Sequence, residues 1–414
     1  MPTVTDAIIP DRLQAFERQG FGLFLHWGLY SQLERGEWFW HHHHHPRADY
    51  VALQQTFTAA NFDARAWCRL AKGAGCRYVV LTTRHHEGFS LYDTRGLNTF
   101  DAPHAPAGRD LVAEFSAACE AEGLGKYFYH TTIDWWHPDF AQNWPAYIAY
   151  LRQSVEILCT RYGRVDGFWF DGNWARPEAN WELDALYGMI RQHQPEAILV
   201  NNSSTGALGA DDRHPEIDVR TFEQGRPTRA KAGGRYRSGE MCETITSHWG
   251  VARHDYSFKS PAEIIDRLVA CRSVGANLLL NVAPEADGEI PAYESALLQI
   301  VGRWISVCPE AIYNGRPTAL LCRAGDAVIQ VGSTYYMFVG HLPIAGNTHL
   351  HHGDGAGPRT IQGELPVVKK VDWADTGEVL TFTQDVSHGL FTCDATAFPY
   401  GDQRIWRIAR LETA

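Results

Sequence analysis

Arg77-Tyr78-Val79-Val80-Leu81-Thr82-Thr83, followed at once by Arg84-His85-His86, is the stretch from which the fold can be read. Its apolar residues lack the polar alternation of a strand with one face in water, so it reads as a strand of a parallel sheet covered on both sides. Just upstream, in Ala64 to Ala74, Trp67, Leu70, Ala71 and Ala74 fall at i, i+3, i+4 and i+7, which places them on one helical face. The same alternation of run and helix recurs outward in both directions. Further β-type runs lie at Phe21 to His26, Tyr127 to Thr132, Gly167 to Asp171, Ile198 to Asn202, Val219 to Glu223, Met241 to Ile245 and Asn277 to Val282. Helical spacing covers Asp110 to Glu122, Asn143 to Tyr162, Asn180 to His193, Pro261 to Gly275 and Pro291 to Cys308. Eight buried runs alternating with helices predict a (β/α)₈ barrel. From Asn201 to His248 three runs follow one another through Gly- and Pro-rich connections without a helix, so the barrel is expected to be distorted there. After Arg316-Pro317 the texture changes to alternating strands at Val328 to Val331, Tyr335 to Val339, Val379 to Thr383, Leu390 to Cys393 and Arg404 to Ile408, the pattern of a small antiparallel β-module.

Composition bounds the function. A chain of 414 residues, 45% hydrophobic and 21% charged, buries a sizeable core and fits one large domain with a smaller one. The net charge of −11 gives no footprint for phosphate backbones or anionic membranes, so neither nucleic acid nor membrane is an expected partner. The cysteines are odd in number, and Cys68, Cys76, Cys159 and Cys271 sit inside apolar stretches, which favours reduced thiols over a disulfide framework. Met1 to Pro10 has neither a basic start nor an apolar run, so no signal peptide is expected and a cytoplasmic location is the expectation. The aromatic content stands out at 14 Trp, 17 Tyr and 19 Phe. Clefts that bind sugars use such rings, because the C–H faces of a pyranose stack on them.

Ligands of a (β/α)₈ barrel gather at the C-terminal ends of its strands. Here those ends carry His26-Trp27, His85-His86, His130 with Asp134-Trp135-Trp136, Asp171, Asn201-Asn202, Glu223 and Glu243. A single strand-end Asp is more often a helix cap than a catalyst, but so many polar ends together point to a site. Chemistry on a sugar needs two carboxyl groups about one bond, one ionised and one holding a proton near neutrality. Asp171 and Glu223 are the best pair by position, with imidazoles suited to hydroxyl recognition because each donates at one nitrogen and accepts at the other. A metal-dependent hydrolase built on His26, His85, His86, His130 and Asp171 is the rival reading. Against it, neighbours on a strand point to opposite faces, so His85 and His86 need a local bend to share an ion. The run His41 to His45 reads as a solvated loop with incidental metal affinity.

The chain resembles the α-L-fucosidases of glycoside hydrolase family 29. The resemblance rests on Phe21-Gly22-Leu23-Phe24-Leu25-His26-Trp27-Gly28-Leu29-Tyr30-Ser31, Gly36-Glu37-Trp38-Phe39, the stretch Ala74 to Phe89 with its Arg84-His85-His86-Glu87-Gly88-Phe89, Trp169-Phe170-Asp171-Gly172, Asn277 to Pro284 with Asp287-Gly288, and Glu310-Ala311-Ile312-Tyr313. It implies a distorted (β/α)₈ TIM-like barrel over residues 1–316 and a C-terminal antiparallel β-sandwich over 317–414. It further implies hydrolysis of terminal α-L-fucosyl linkages with retention, no cofactor or metal, and a fucosylated oligosaccharide or glycoconjugate as partner. By the same resemblance Asp171 is the nucleophile and His26, Glu37, Trp38, His85 and His86 contact sugar hydroxyls. Tyr129, Trp169 and Trp249 then line the subsite, Trp249 near the C6 methyl. Asp218-Val219-Arg220-Thr221-Phe222-Glu223 matches one branch of the family and nominates Glu223 as acid/base, with Glu243 and Glu240 as fallbacks. Relatives often carry Asn-Asp-Arg where this chain has Asn201-Asn202-Ser203, so either Arg226 substitutes for the missing arginine or the site differs. α-L-Galactosidase action and non-catalytic sugar binding are the alternatives on the same scaffold.

Overall fold

The computed structural model describes residues 9–202, 214–229, 235–323, 325–345, 356–402 and 405–414; residues 1–8, Ser203 and Arg404, on which part of the sequence reading rests, lie outside them. Eight strands close into a barrel in chain order: β1 (Phe21–Leu25), β2 (Tyr78–Arg84), β3 (Gly125–Thr131), β4 (Gly167–Asp171), β5 (Ile198–Asn202), β6 (Val219–Glu223), β7 (Ser238–Thr244) and β8 (Asn277–Val282). β1 pairs in parallel with β2 from Gly22↔Tyr78 to Leu25↔Leu81 and with β8 from Phe21↔Leu278 to Leu25↔Val282. Every residue of β1, β2, β5 and β8 is buried, which is why unbroken apolar runs mark these strands in the sequence. Two of the helices between them start on aspartate caps. Asp63 accepts from Ala66 N–H at 2.9 Å ahead of Ala64–Gly73, and Asp110 accepts from Ala113 N–H at 2.9 Å ahead of Leu111–Glu122. Each such cap contributes about 1 kcal/mol.

The barrel interior is aromatic where branched aliphatic side chains are the usual filling. Phe24, Tyr78, Tyr127, Tyr129 and Trp169 share one core with Val80, Ile198, Val200, Val219, Cys242 and Leu279. Glycines on neighbouring strands make room for these rings. A Cβ at Gly22 would lie 2.3 Å from the Tyr78 ring, and one at Gly167 would lie 2.2 Å from the Tyr127 ring. Leu13 and Phe16 of the helix Asp11–Gln19 join the same core, Phe16 meeting Tyr78 edge-on at 5.8 Å.

The distortion expected after Asn201 is present. β5 pairs with β6 only at Val200↔Val219, and no helix separates β5, β6 and β7 among the described residues. β6 and β7 recover a full register from Val219↔Ser238 to Glu223↔Cys242.

The described residues fall into two compact units, Met1–Phe258 with Leu278–Leu298, and Lys259–Asn277 with Gln299–Ala414. The second unit carries two antiparallel sheets. One runs in the order Val368–Trp373, Trp406–Thr413, Thr334–Gly340, Ala327–Val331, Arg316–Pro317, and the other Leu321–Cys322, Gly357–Gln362, Leu390–Ala395, Phe382–Asp385. Met337, Val371, Trp373, Ala409 and Leu411 of the first sheet pack in one core with Ile361, Phe391 and Cys393 of the second, which makes the module a sandwich. Two strands differ from the expected positions, Phe382–Asp385 in place of Val379 to Thr383 and Trp406–Thr413 in place of Arg404 to Ile408. Gly357–Gln362 and Val368–Trp373 are strands without a clear sequence pattern, because Gly357, Pro358 and the pair Lys369-Lys370 mask their alternation.

Candidate active site

At the C-terminal strand ends lies a cavity of about 240 Å³, lined by Phe24, His26, Trp38, His85, Tyr129, Trp169, Asp171, Trp174, Asn202, Glu223 and Trp249. Eight of the ten residues singled out from sequence line it. Glu37 and His86 stand one layer back, while Phe24, Trp174 and Asn202 join the wall. Phe24 was hidden as an ordinary strand residue. Trp174 had one usable signal, its place three residues after Asp171 in the loop that leaves β4.

Asp171 closes β4, its side chain 15% exposed and surrounded by donors. Trp174 Nε1 donates to Oδ1 at 2.8 Å, the Tyr129 hydroxyl donates to Oδ2 at 3.2 Å, and His86 Nε2 lies 3.4 Å from Oδ2. Burial pushes this carboxyl up, but His86, Trp174 and Tyr129 together outweigh it and hold the group below the ordinary aspartate value. Asp171 is therefore a carboxylate at neutral pH. The chain turns sharply after it at Gly172, where φ is +117° and a Cβ would meet Thr132 Oγ1 at 2.8 Å. Thr132 N–H donates to the Asp171 carbonyl at 2.6 Å, which fixes the backbone on the other side.

Glu223 closes β6 and has a different setting. Asn202 Nδ2 donates to it at 2.8 Å, and the amide of Asn202 is held the right way round because Thr221 Oγ1 donates to its Oδ1 at 3.0 Å. Burial raises the Glu223 carboxyl, the negative charges of Asp171 and Glu37 add to the rise, and the contacts with Asn202 and Trp249 do not cancel it. Two carboxyls facing one cavity are thus driven in opposite directions. The fallbacks sit elsewhere. Glu240 is buried beneath the cavity, taking hydrogen bonds from Tyr78 at 2.6 Å and Trp169 Nε1 at 2.9 Å, with its carboxyl pushed up to about 7 by burial. Glu243 is 1% exposed and accepts from Thr244 N–H at 3.0 Å. Arg226 is exposed and does not line the cavity.

The histidines are sorted by their second nitrogens. Asn281 Nδ2 donates to the Trp249 carbonyl at 2.7 Å, so its Oδ1 faces His26, and His26 Nδ1 at 2.6 Å must be the donor. Burial lowers the His26 pKa to about 3, so the ring is neutral and its Nε2 is an acceptor. His85 and His86 do turn the same way, their ring centroids 4.2 Å apart. The objection from strand alternation fails because β2 ends at Arg84 after a register shift, and both residues lie in the turn beyond it. Among the described residues no three His, Cys, Asp or Glu side chains gather in a metal-holding cluster.

Glu37 is 6% exposed and accepts from Gly250 N–H at 2.7 Å, pinning the segment that carries Trp249. It also lines a neighbouring groove of about 670 Å³ that shares Trp38 and Trp249 with the cavity and includes His42, His43 and His248. The pentahistidine is exposed, but it is not a free loop. It overlaps the short helix Phe39–His42, with His41 stacked on Trp135 at 4.4 Å and His42 stacked on Trp38 at 5.4 Å. Its first two rings therefore extend the aromatic wall that begins at Trp174, 5.9 Å from Trp38.

A barrel with a small aromatic cavity at its strand ends, and two carboxyls of opposite tendency facing it, defines a glycoside hydrolase. The comparisons with known proteins narrow this. The family model described as alpha-L-fucosidase matches residues 8–310, and the chain belongs to that family, glycoside hydrolase family 29. It is similar to the solved alpha-L-fucosidase isoenzyme 1 of Paenibacillus thiaminolyticus, with 31% identity and a TM-score of 0.84 over 98% of this chain and 99% of that one. Tissue alpha-L-fucosidase of Bos taurus is 30% identical over 73% of this chain and 69% of its own length, and that of Homo sapiens is 28% identical over 81% and 77%.

Proposed function

We propose that the protein is a retaining, exo-acting α-L-fucosidase that removes terminal α-L-fucosyl groups from fucosylated oligosaccharides or glycoconjugates through a covalent fucosyl-enzyme. The observation that carries the reading is the pair Asp171 and Glu223, facing one cavity, the first held below and the second above its ordinary value. The cavity of about 240 Å³ suits one sugar ring, which favours removal of a terminal residue. In the first step Asp171 attacks the anomeric carbon as the bond to the aglycone oxygen breaks, and Glu223 gives that oxygen its proton. In the second, Glu223 takes a proton from water, which displaces Asp171 and restores the α configuration. His26 accepts from a sugar hydroxyl, His85, Trp38 and Tyr129 complete the subsite, and Trp169 and Trp249 supply apolar faces. His86 and Glu37 hold Asp171 and the Trp249 segment in place.

Turnover of an aryl α-L-fucoside followed by proton NMR tests the proposal. The first sugar released should be α-L-fucose, mutarotating afterwards; β-L-fucose as the first product, or turnover of the α-L-galactoside alone, would overturn it.

A further inference from the structure

Among the deeply buried carboxyls to which the mechanism gives no task, Glu87 lies beside a histidine of the cavity. Glu87 is 2% exposed, and among the described residues neither of its carboxyl oxygens has a hydrogen-bond partner. Two residues earlier, His85 is 4% exposed and its Nδ1 is likewise buried without a partner. These unpartnered atoms face each other, His85 Nδ1 lying 3.5 Å from Glu87 Oε2. A buried polar group without a partner is costly, and here one proton between the two would satisfy both.

Which side holds that proton follows from the surroundings. An ionised carboxylate offers several acceptor sites and needs donors, and among the described residues no side-chain N–H or O–H reaches Glu87 within hydrogen-bond distance. The groups facing it are the carboxyls of Asp134 and Glu37, the phenols of Tyr30, Tyr50 and Tyr129, the imidazole of His85 and the guanidinium of Arg84. Arg84 is turned to the Tyr150 hydroxyl, to which it donates at 2.8 Å. Burial, helped by Asp134 and Glu37, outweighs the backbone N–H of Glu87 and Arg84 and pushes the carboxyl up to about 8. His85 is held neutral by burial and by the neighbouring His86 and His26. A neutral imidazole carries one N–H, so the choice of nitrogen is binary.

We infer that Glu87 is a positioning residue whose protonated carboxyl donates to His85 Nδ1 and thereby places the His85 proton on Nε2. The cavity then holds two imidazoles of opposite sense, His26 an acceptor fixed by Asn281 and His85 a donor fixed by Glu87. Such a pair reads the direction of two hydroxyl groups, whereas two rings free to exchange tautomers would read only their places. That the donor serves a fucosyl hydroxyl rests on the function proposed above; the tautomer does not.

The test is ¹⁵N NMR of the full-length, histidine-labelled protein without substrate, with the His85 resonances identified by their loss in His85→Gln. In the wild type at pH 7, His85 should show a protonated Nε2 and a bare Nδ1, reversing as Glu87 ionises near pH 8. Glu87→Gln, a neutral donor at every pH, should abolish that reversal. Glu87→Leu should give a mixture of tautomers and raise KM for an aryl α-L-fucoside about tenfold with little change in kcat, the loss of one hydrogen bond. A wild-type His85 protonated at Nδ1 at pH 7, or a Leu variant with unchanged tautomer and KM, overturns the inference. Because the tautomer is read without substrate, its outcome is independent of whether any fucoside turns over.

Discussion

The two halves of the barrel mouth are built differently. On the side of Asp171, strands β1 to β4 pair over several consecutive residues, and the carboxylate meets His86 from the turn after β2 and donors from β3 and from the loop after β4. On the side of Glu223, β5 and β6 touch at a single register pair, no helix intervenes among the described residues, and Asn202 holds the carboxyl by one hydrogen bond at 2.8 Å. The contrast matches what the two groups need. A group that must stay ionised in a desolvated site has to be surrounded by donors, and these require a rigid frame. One that must keep a proton requires burial, a like charge nearby and few donors, which a sparser frame supplies.

The comparison can be broken most sharply at Asp171. Asp171→Ala removes the group on which all the converging donors act, and kcat for an aryl fucoside should fall on the order of 10⁴-fold or more. Near wild-type turnover in that variant would dissolve the contrast altogether. Glu223→Ala should cost about 10²- to 10⁴-fold on substrates with poor leaving groups and far less on activated aryl fucosides, with azide restoring turnover of the latter. An unchanged leaving-group profile would move the proton donor to Glu243. A subtler probe is Trp174→Phe, which keeps an aromatic ring, though a smaller one, but deletes the donor to Asp171 Oδ1. Loss of a hydrogen bond to a charged group should lower kcat/KM about tenfold or more, and because that bond favours the ionised form, the acid limb of the pH profile should move up. The smallest effect is expected for Asn202→Ala. Its amide favours ionised Glu223, so its loss should raise the Glu223 pKa further and shift the alkaline limb of kcat/KM up by about one unit or less, with peak activity reduced severalfold. A downward shift would mean that Asn202 does not act on Glu223.

The frame was more legible in the sequence than the site. Gly167–Asp171, Ile198–Asn202 and Asn277–Val282 stand where their apolar runs put them, because strands buried on both faces leave a contiguous record. Asp63, Asp110 and Ser260 mark helix starts by capping them, a signal local to a few residues. Gathering Asp171, Glu223 and His26 at one mouth followed from strand order alone. What stayed hidden depends on contacts between distant segments. Asn281 sets the tautomer of His26 from 255 residues away. Trp174 reaches Asp171 only because Gly172 turns the chain back. His85 and His86 share a face because β2 slips register just before them, and no feature of the neighbouring residues announces the slip. The pentahistidine was legible as an exposed segment, but not as a rim, since its partners Trp38 and Trp135 come from separate loops.

Four of the chain's 14 tryptophans, Trp38, Trp169, Trp174 and Trp249, face the cavity. The indole of Trp174 is bonded to Asp171 and that of Trp169 to Glu240, so their excited states sit against the charges of the site. A sugar that displaces solvent from this cavity alters the polarity around all four at once, and a change in protonation of either carboxyl alters the field on its own indole. The molecule therefore carries an optical readout of its own pocket, in which occupancy and ionisation register in the same ultraviolet emission without a label.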